Sequence, residues 1–232
     1  MNNFNNNNQY YASMAEGFMS KVYGWMTAGL CLTAATAYYV SPAINPAIFS
    51  VVMNYFLLLT VIQFGLAMYF SFAWQKSSFA TLAAIFITYS CLTGVILSPL
   101  ILVYTGESIF QVFLIAAAMF GTMAVYGSVT KSDLSSMGNI LFMALIGLIV
   151  ANLINMFVQS AQFNIIIACF GVGAFSLLTA YDVQMLRRLG YQAVGTQEEV
   201  NKIALVGALS LYLNLINLFI YLLQLFGKKR NN

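Results

Sequence analysis

The chain has 232 residues, of which 61% are hydrophobic and only 6% charged, where a soluble domain carries roughly 25% charge. Nine basic and six acidic side chains cannot clothe a water-soluble surface of this size, and a net charge of +3 with its positives at segment ends argues against a basic nucleic-acid-binding face. Histidine is absent, which excludes Ser-His hydrolysis, H-E-x-x-H zinc chemistry and haem ligation by histidine.

Residues 1–20 form an asparagine-rich segment, too polar and repetitive to bury a core, and are read as a disordered tail without the basic n-region of a signal peptide. Residues 21–227 then carry seven apolar runs: Val22 to Val40, Val51 to Trp74, Phe79 to Leu97, Ile109 to Ser128, Met137 to Val158, Phe163 to Leu186 and Ile203 to Phe226. A bilayer-crossing helix needs about 20 such residues. The runs are continuous rather than alternating, so they predict helices and not barrel strands. Polar, Pro or Gly breaks separate them, the longest being Arg187 to Lys202, and residues 228–232 make a short basic tail. The fold class is therefore all-α, a polytopic membrane protein of seven transmembrane helices.

Seven crossings put Lys21, Lys76, Lys131, Arg187, Arg188 and Lys202 on one side and Lys228, Lys229 and Arg230 on the other. The positive-inside rule then places the N-terminus in the cytoplasm, although the terminal KKR dissents. A single re-entrant run would instead bring all nine positives to one side. Cys31, Cys91 and Cys169 lie inside apolar runs without metal-site or disulfide spacing, and are read as packing residues.

Polar residues within the spans carry the functional signal, because lipid offers them nothing to bond to. Asp182 is the acidic residue set well within a run, near the end of the sixth, and a carboxyl there can respond to pH. The bland alternative is that it snorkels to the interface beside Arg187 and Arg188. The last run carries Ser210, Asn214, Asn217, Tyr221 and Gln224 at spacings of four, three, four and three, a polar face that belongs against other helices or a water-filled cavity. That predicts a central last helix; either path lining or helix-to-helix glue accounts for the stripe. Asn152, Asn155, Gln159 and Gln63 are weaker signals of the same kind, and Gly29, Thr33 and Thr36, or Gly147 and Ala151, are small residues spaced for close helix contact. Counted from Ile203, Asn214 misses the depth of Asp182 by roughly 9 Å; counted from Gly207 the mismatch falls to about 3 Å, at about 1.5 Å per residue.

The segments VYGWMTAGLCLTA, YGSVTKSDLSSMGNILFMALIGLIVANLIN, LTAYDVQ and GALSLYLNLINLF resemble the Bax inhibitor-1 (transmembrane Bax inhibitor motif) family, most closely its bacterial branch, from about Met19 to Gly227. The resemblance implies six helices around a central seventh in the bacterial inner membrane, and a pH-sensitive calcium leak gated by two proton-sharing aspartates on the last two helices. Asp182 matches the first aspartate. Asn214 stands where the second falls, and an amide hydrogen-bonds a carboxyl but does not titrate. The charged partner that some relatives place on the second helix is also missing, Gln63 being the nearest polar candidate.

Three functions follow as expectations. The first is an ion-leak channel, calcium-permeable and pH-modulated through Asp182, with calcium as permeant ion and no cofactor. The second is a non-transporting membrane regulator that binds protein partners such as a membrane protease or a stress-response factor. A membrane enzyme is the third and the poorest, since Glu107, Asp133, Glu198 and Glu199 fall in loops.

Overall fold

Inside a bilayer the backbone must satisfy its own N–H and C=O groups, and a helix does so within one segment. The computed structural model describes residues 2–192 and 196–230, with side chains over 17–191 and 196–230. Its helices are α1 (Asn2–Val40), α2 (Pro46–Asn54), α3 (Phe56–Ala73), α4 (Phe79–Leu97), α5 (Leu100–Val103), α6 (Gly106–Val129), α7 (Gly138–Val158), α8 (Ala161–Gln192) and α9 (Gln197–Phe226), with a 3-10 turn at Leu134–Met137 before α7. The expectation of a disordered tail over 1–20 falls mostly outside the described side chains.

Six helical segments are long and apolar enough to cross a membrane: α3, α4 with α5, α6, the 3-10 turn with α7, α8 and α9. The first run is not among them. It remains helical, but Thr27, Thr33, Thr36, Tyr38 and Tyr39 dilute its hydropathy. The bounds of α4 match the sequence reading, whereas the second run is broken at Tyr55 into α2 and α3 without a Pro or Gly to announce it. The sixth and seventh runs are longer than read, since α8 continues to Gln192 and α9 starts at Gln197. Most of the supposed loop 187–202 is thus helical.

Polar residues at the breaks cap the helices. Ser78 accepts from the Thr81 N–H at 3.2 Å and Thr105 from the Ser108 N–H at 3.3 Å, as N-cap oxygens do for the first turn of a helix. The one non-glycine residue of positive φ among the described residues is Gln159 (53°), the C-cap of α7, a position that glycine fills without steric cost.

The chain forms two compact units whose boundary falls within α8 and α9: residues 1–104, 189–212 and 230–232, and residues 105–188 and 213–229. In the first, α1 and α3 pack on α4, with Trp25 edge-on to Phe79 and Phe86 at 5.9 and 6.0 Å. Gly29 faces Phe86 and Ser90, and Gly94 faces Thr33 and Thr36, with no room for a Cβ at either glycine. The small-residue spacing of α1 therefore marks a true close contact. In the second unit Gly127 of α6 abuts the Ala180 carbonyl of α8, and Gly138 faces the Tyr181 hydroxyl.

Two small-residue and cysteine readings are corrected. Gly147 has nothing within 4 Å of an added Cβ, and with Ala151 it lines an open apolar groove of about 400 Å³ between α7 and α8. Cys31 and Cys169 are exposed on their helices instead of packed. Exposure here means lipid: Leu57, Phe72 and Phe157 stand 78–80% exposed, which water would penalise and hydrocarbon does not. The buried share of the crossing window runs from 6% in α3 and 11% in α7 to 67% in α9.

The glycine contrast is testable. Gly127→Val, driven into the α8 backbone, should destabilise the detergent-solubilised protein by about 1–3 kcal/mol, read as a lowered Tm, whereas Gly147→Val should leave the Tm unchanged.

Candidate functional site

The second unit brings the two leading candidates together. Asn214 Nδ2 of α9 donates to Asp182 Oδ2 of α8 at 2.8 Å, in a half-buried position. The first turns of α9, Gln197 to Lys202, are mostly polar and exposed to half-buried, and they precede the apolar stretch from Ile203 that carries Asn214 to Asp182. The two residues thus meet, as the count from Gly207 allowed and the count from Ile203 did not.

Two arginines follow Asp182 on α8 and reach its neighbours. Arg188 pairs with Asp133 at 2.8 Å and donates to the Ser135 hydroxyl at 2.8 Å, while Arg187 donates to the Ser128 carbonyl. Gln184 bridges the same loop, its Oε1 accepting from the Leu134 N–H at 2.9 Å and its Nε2 donating to the Ser132 carbonyl at 2.8 Å. Gln184 and Arg188 thereby clamp the segment between α6 and α7, while Arg187 and Tyr181 meet the helix ends on either side of it, Ser128 and Gly138. Sequence reasoning missed Gln184; its position inside the LTAYDVQ segment, one turn from the loop-facing arginines, was the available signal.

The other predicted residues divide between the units. In the second, Asn217 Nδ2 bonds the Leu213 carbonyl of its own helix at 2.8 Å, and the Tyr221 hydroxyl accepts from Asn152 Nδ2 at 3.0 Å. Asn155 Oδ1 accepts from the Ser160 N–H at the C-terminal end of α7. In the first, Gln63 Nε2 donates to Thr93 at 2.8 Å, and Ser210 is half-buried on α9. Gln63 belongs to a hydroxyl network not foreseen from sequence. The Thr33 hydroxyl lies 2.9 Å from the Gly29 and Ser90 carbonyls and 2.7 Å from the Tyr212 hydroxyl. Tyr89 and Phe86 close edge-on around the Tyr212 ring. Tyr212 is the largest fully buried side chain described, so its polar tip must be satisfied within the protein.

Charge is sorted by helix end in each unit. In the first, Lys21 Nζ donates to Asn201 at 2.8 Å and the Phe79 N–H to Glu198 at 3.4 Å, gathering the starts of α4 and α9, whereas the Arg230 N–H reaches the Val103 carbonyl beyond the far end of α4. In the second, Lys131, Arg187 and Arg188 sit by the C-terminal end of α6, and Lys228 bonds Thr105 and Ser108 at its N-terminal end. No group of three or more metal-ligating side chains occurs among the described residues.

A half-buried carboxyl-amide contact between the last two long helices of an apolar, helical chain is the setting in which the comparisons with known proteins fall. Residues 15–231 match the family described as inhibitor of apoptosis-promoting Bax1. The chain belongs to this Bax inhibitor-1 family. Among its relatives, inner membrane protein YbhL of Escherichia coli is 44% identical over 218 residues, 92% of each chain. A protein of Borreliella burgdorferi is 44% identical over 217 residues, 93% of each chain, and one of Deinococcus radiodurans 40% identical over 214 residues, 92% of this chain and 91% of that one. It is a Bax inhibitor-1 family membrane protein, with apolar helices that need a bilayer around them.

The loop clamp makes a pH prediction. Hydrogen bonds from the side chain and backbone of Ser135, then Arg188, hold the Asp133 carboxyl at about 2, below its ordinary 3.8. A depressed folded-state value stabilises fully above the unfolded value and loses that stabilisation as pH falls through the folded one. The Tm gap between wild type and Asp133→Asn should therefore stay constant from about pH 8 to about pH 5, narrow as pH falls through 3.8 and close only below the folded-state value of about 2.

Proposed function

We propose that this protein is an ion-leak channel of the bacterial inner membrane, permeable to calcium and modulated by pH, in which Asp182 is the titrating group and Asn214 its non-titrating partner. The observation that carries the reading is the 2.8 Å contact between them. A carboxyl set within an apolar helix is costly enough that a retained one argues for function. Its partner here bonds it without sharing a second acid's proton. In a pair of aspartates the titrations are coupled, because two close carboxylates do not both ionise cheaply; an aspartate facing an asparagine titrates alone.

We propose further that α1 is the seventh crossing, that α9 is the enclosed helix, and that the N-terminus is cytoplasmic. The support for enclosure is the 67% buried window of α9. The support for orientation is the charge sorting within the second unit, where Lys131, Arg187 and Arg188 lie at the opposite end of α6 from Lys228, as the positive-inside rule asks. The inner-membrane location follows the name of the Escherichia coli relative, inner membrane protein YbhL. This is a passive pathway rather than an enzyme, and it needs no cofactor.

In proteoliposomes with calcium and pH varied independently, wild type should pass calcium with a shallow pH dependence that Asp182→Ala abolishes. Asn214→Asp should restore a second acid and steepen that dependence. Absence of calcium flux above protein-free liposomes from about pH 5 to about pH 8 defeats the channel reading and leaves the partner-binding regulator, which capture of a membrane protease or stress-response factor would then support.

A further inference from the structure

The contacts of α8 with α9 in the second unit continue for two turns beyond the Asp182–Asn214 contact. Phe175 stacks on Tyr221 with centroids 5.9 Å apart and 28° between planes. Phe175 lies seven residues before Asp182 and Tyr221 seven after Asn214, so both contacts mark one antiparallel register, about 10 Å apart at 1.5 Å per residue. Between them Thr179 and Asn217 bond carbonyls of their own helices, Phe175 and Leu213, at 2.8 Å each. Ser176 lies in the same interval, 8% exposed, and its hydroxyl makes no hydrogen bond.

The far end of this interval is the Tyr221 ring, held from three sides. Phe175 stacks on one face, Gly171 approaches so closely that a Cβ there would strike the ring, and Asn152 of α7 donates to the hydroxyl at 3.0 Å. Asn152 also donates to the Leu148 carbonyl at 2.7 Å, so the amide is fixed on its own helix while it holds the phenol. Packing alone asks for none of this. A phenylalanine would fill the space, and α7 is otherwise a lipid-facing helix with 11% of its window buried. The residue after the stacked Phe175 is Ser176, whose buried hydroxyl has no hydrogen-bond partner, a state that natural proteins rarely leave without water or another group.

We propose that Tyr221, latched by Asn152, is a second closure of the path, separate from the Asp182–Asn214 contact: a ring that seals the polar interval around Ser176 from water and small cations and opens by leaving Gly171 and Phe175. The proposal rests on the leak reading above. A single hydrogen bond between neutral groups fixes the latch, so its loss should shift the closed-to-open ratio, and with it the flux, by about two- to tenfold.

The experiment uses the full-length protein in liposomes with calcium as probe at neutral pH. Asn152→Ala and Tyr221→Phe are each expected to raise calcium flux by about two- to tenfold. Tyr221→Phe keeps the ring and removes only the latch, so a loss of fold does not confuse it, and an unchanged Tm in detergent confirms that. If Asp182→Ala alters the flux while both latch variants match wild type or fall below it, the second closure is wrong and the leak reading stands. If wild type and every variant stay at the level of protein-free liposomes, both are overturned.

Discussion

A carboxyl group inside an apolar helix has no partner in lipid and must find one in the protein. Here Asp182 finds Asn214, and the register of α8 against α9 that this contact sets also places Phe175 on Tyr221. Farther along α8, Arg188 pairs with Asp133 of the loop before α7 and Arg187 donates to the Ser128 carbonyl of α6. The same constraint is met in the first unit by other means. There hydroxyls serve, Thr33 meeting Tyr212 and Gln63 meeting Thr93, and each bond ties one helix to another across an otherwise apolar contact.

This division of labour explains why α9 is both the most buried and the most polar-striped of the crossing helices. Its N-terminal half is fixed in the first unit by Tyr212, and its C-terminal half in the second by Asn214 and Tyr221. Lipid supplies no hydrophobic drive for helix association, so close packing and interhelical hydrogen bonds must supply the specificity. The glycines at 29, 94 and 127 allow the first, and the stripe on α9 supplies much of the second.

Much of this was legible in the sequence because two signals were strong: length of apolar run, and polar residues at helical spacing. Phe79 to Leu97 was read to the residue, and the Asp182–Asn214 pairing was within reach once the depth of α9 was left open between two starts. The rest was hidden for physical reasons. The break at Tyr55 carries neither Pro nor Gly, and the helical continuation of α8 past Arg187 is made by polar residues that look like loop. Gly147 and Gly29 share a composition signal but not a fate, because only the facing helix decides whether a small residue is a contact or the floor of a groove. Hydroxyls such as Thr33 and Ser90 have no periodic signature strong enough to tell a cross-helix bond from a bond to the preceding turn. The count of crossings turned on α1, whose threonines and tyrosines keep it from the six most apolar segments.

The central claim is that one acid, not a pair, titrates at the α8–α9 contact. Infrared titration of the protonated carboxyl stretch in purified protein tests it directly. The account predicts that Asp182→Asn removes a single-step band from the wild-type spectrum, and that Asn214→Asp replaces that step by two coupled ones. A wild-type titration that keeps its band after Asp182→Asn, or that already shows two coupled steps at this contact, would contradict it.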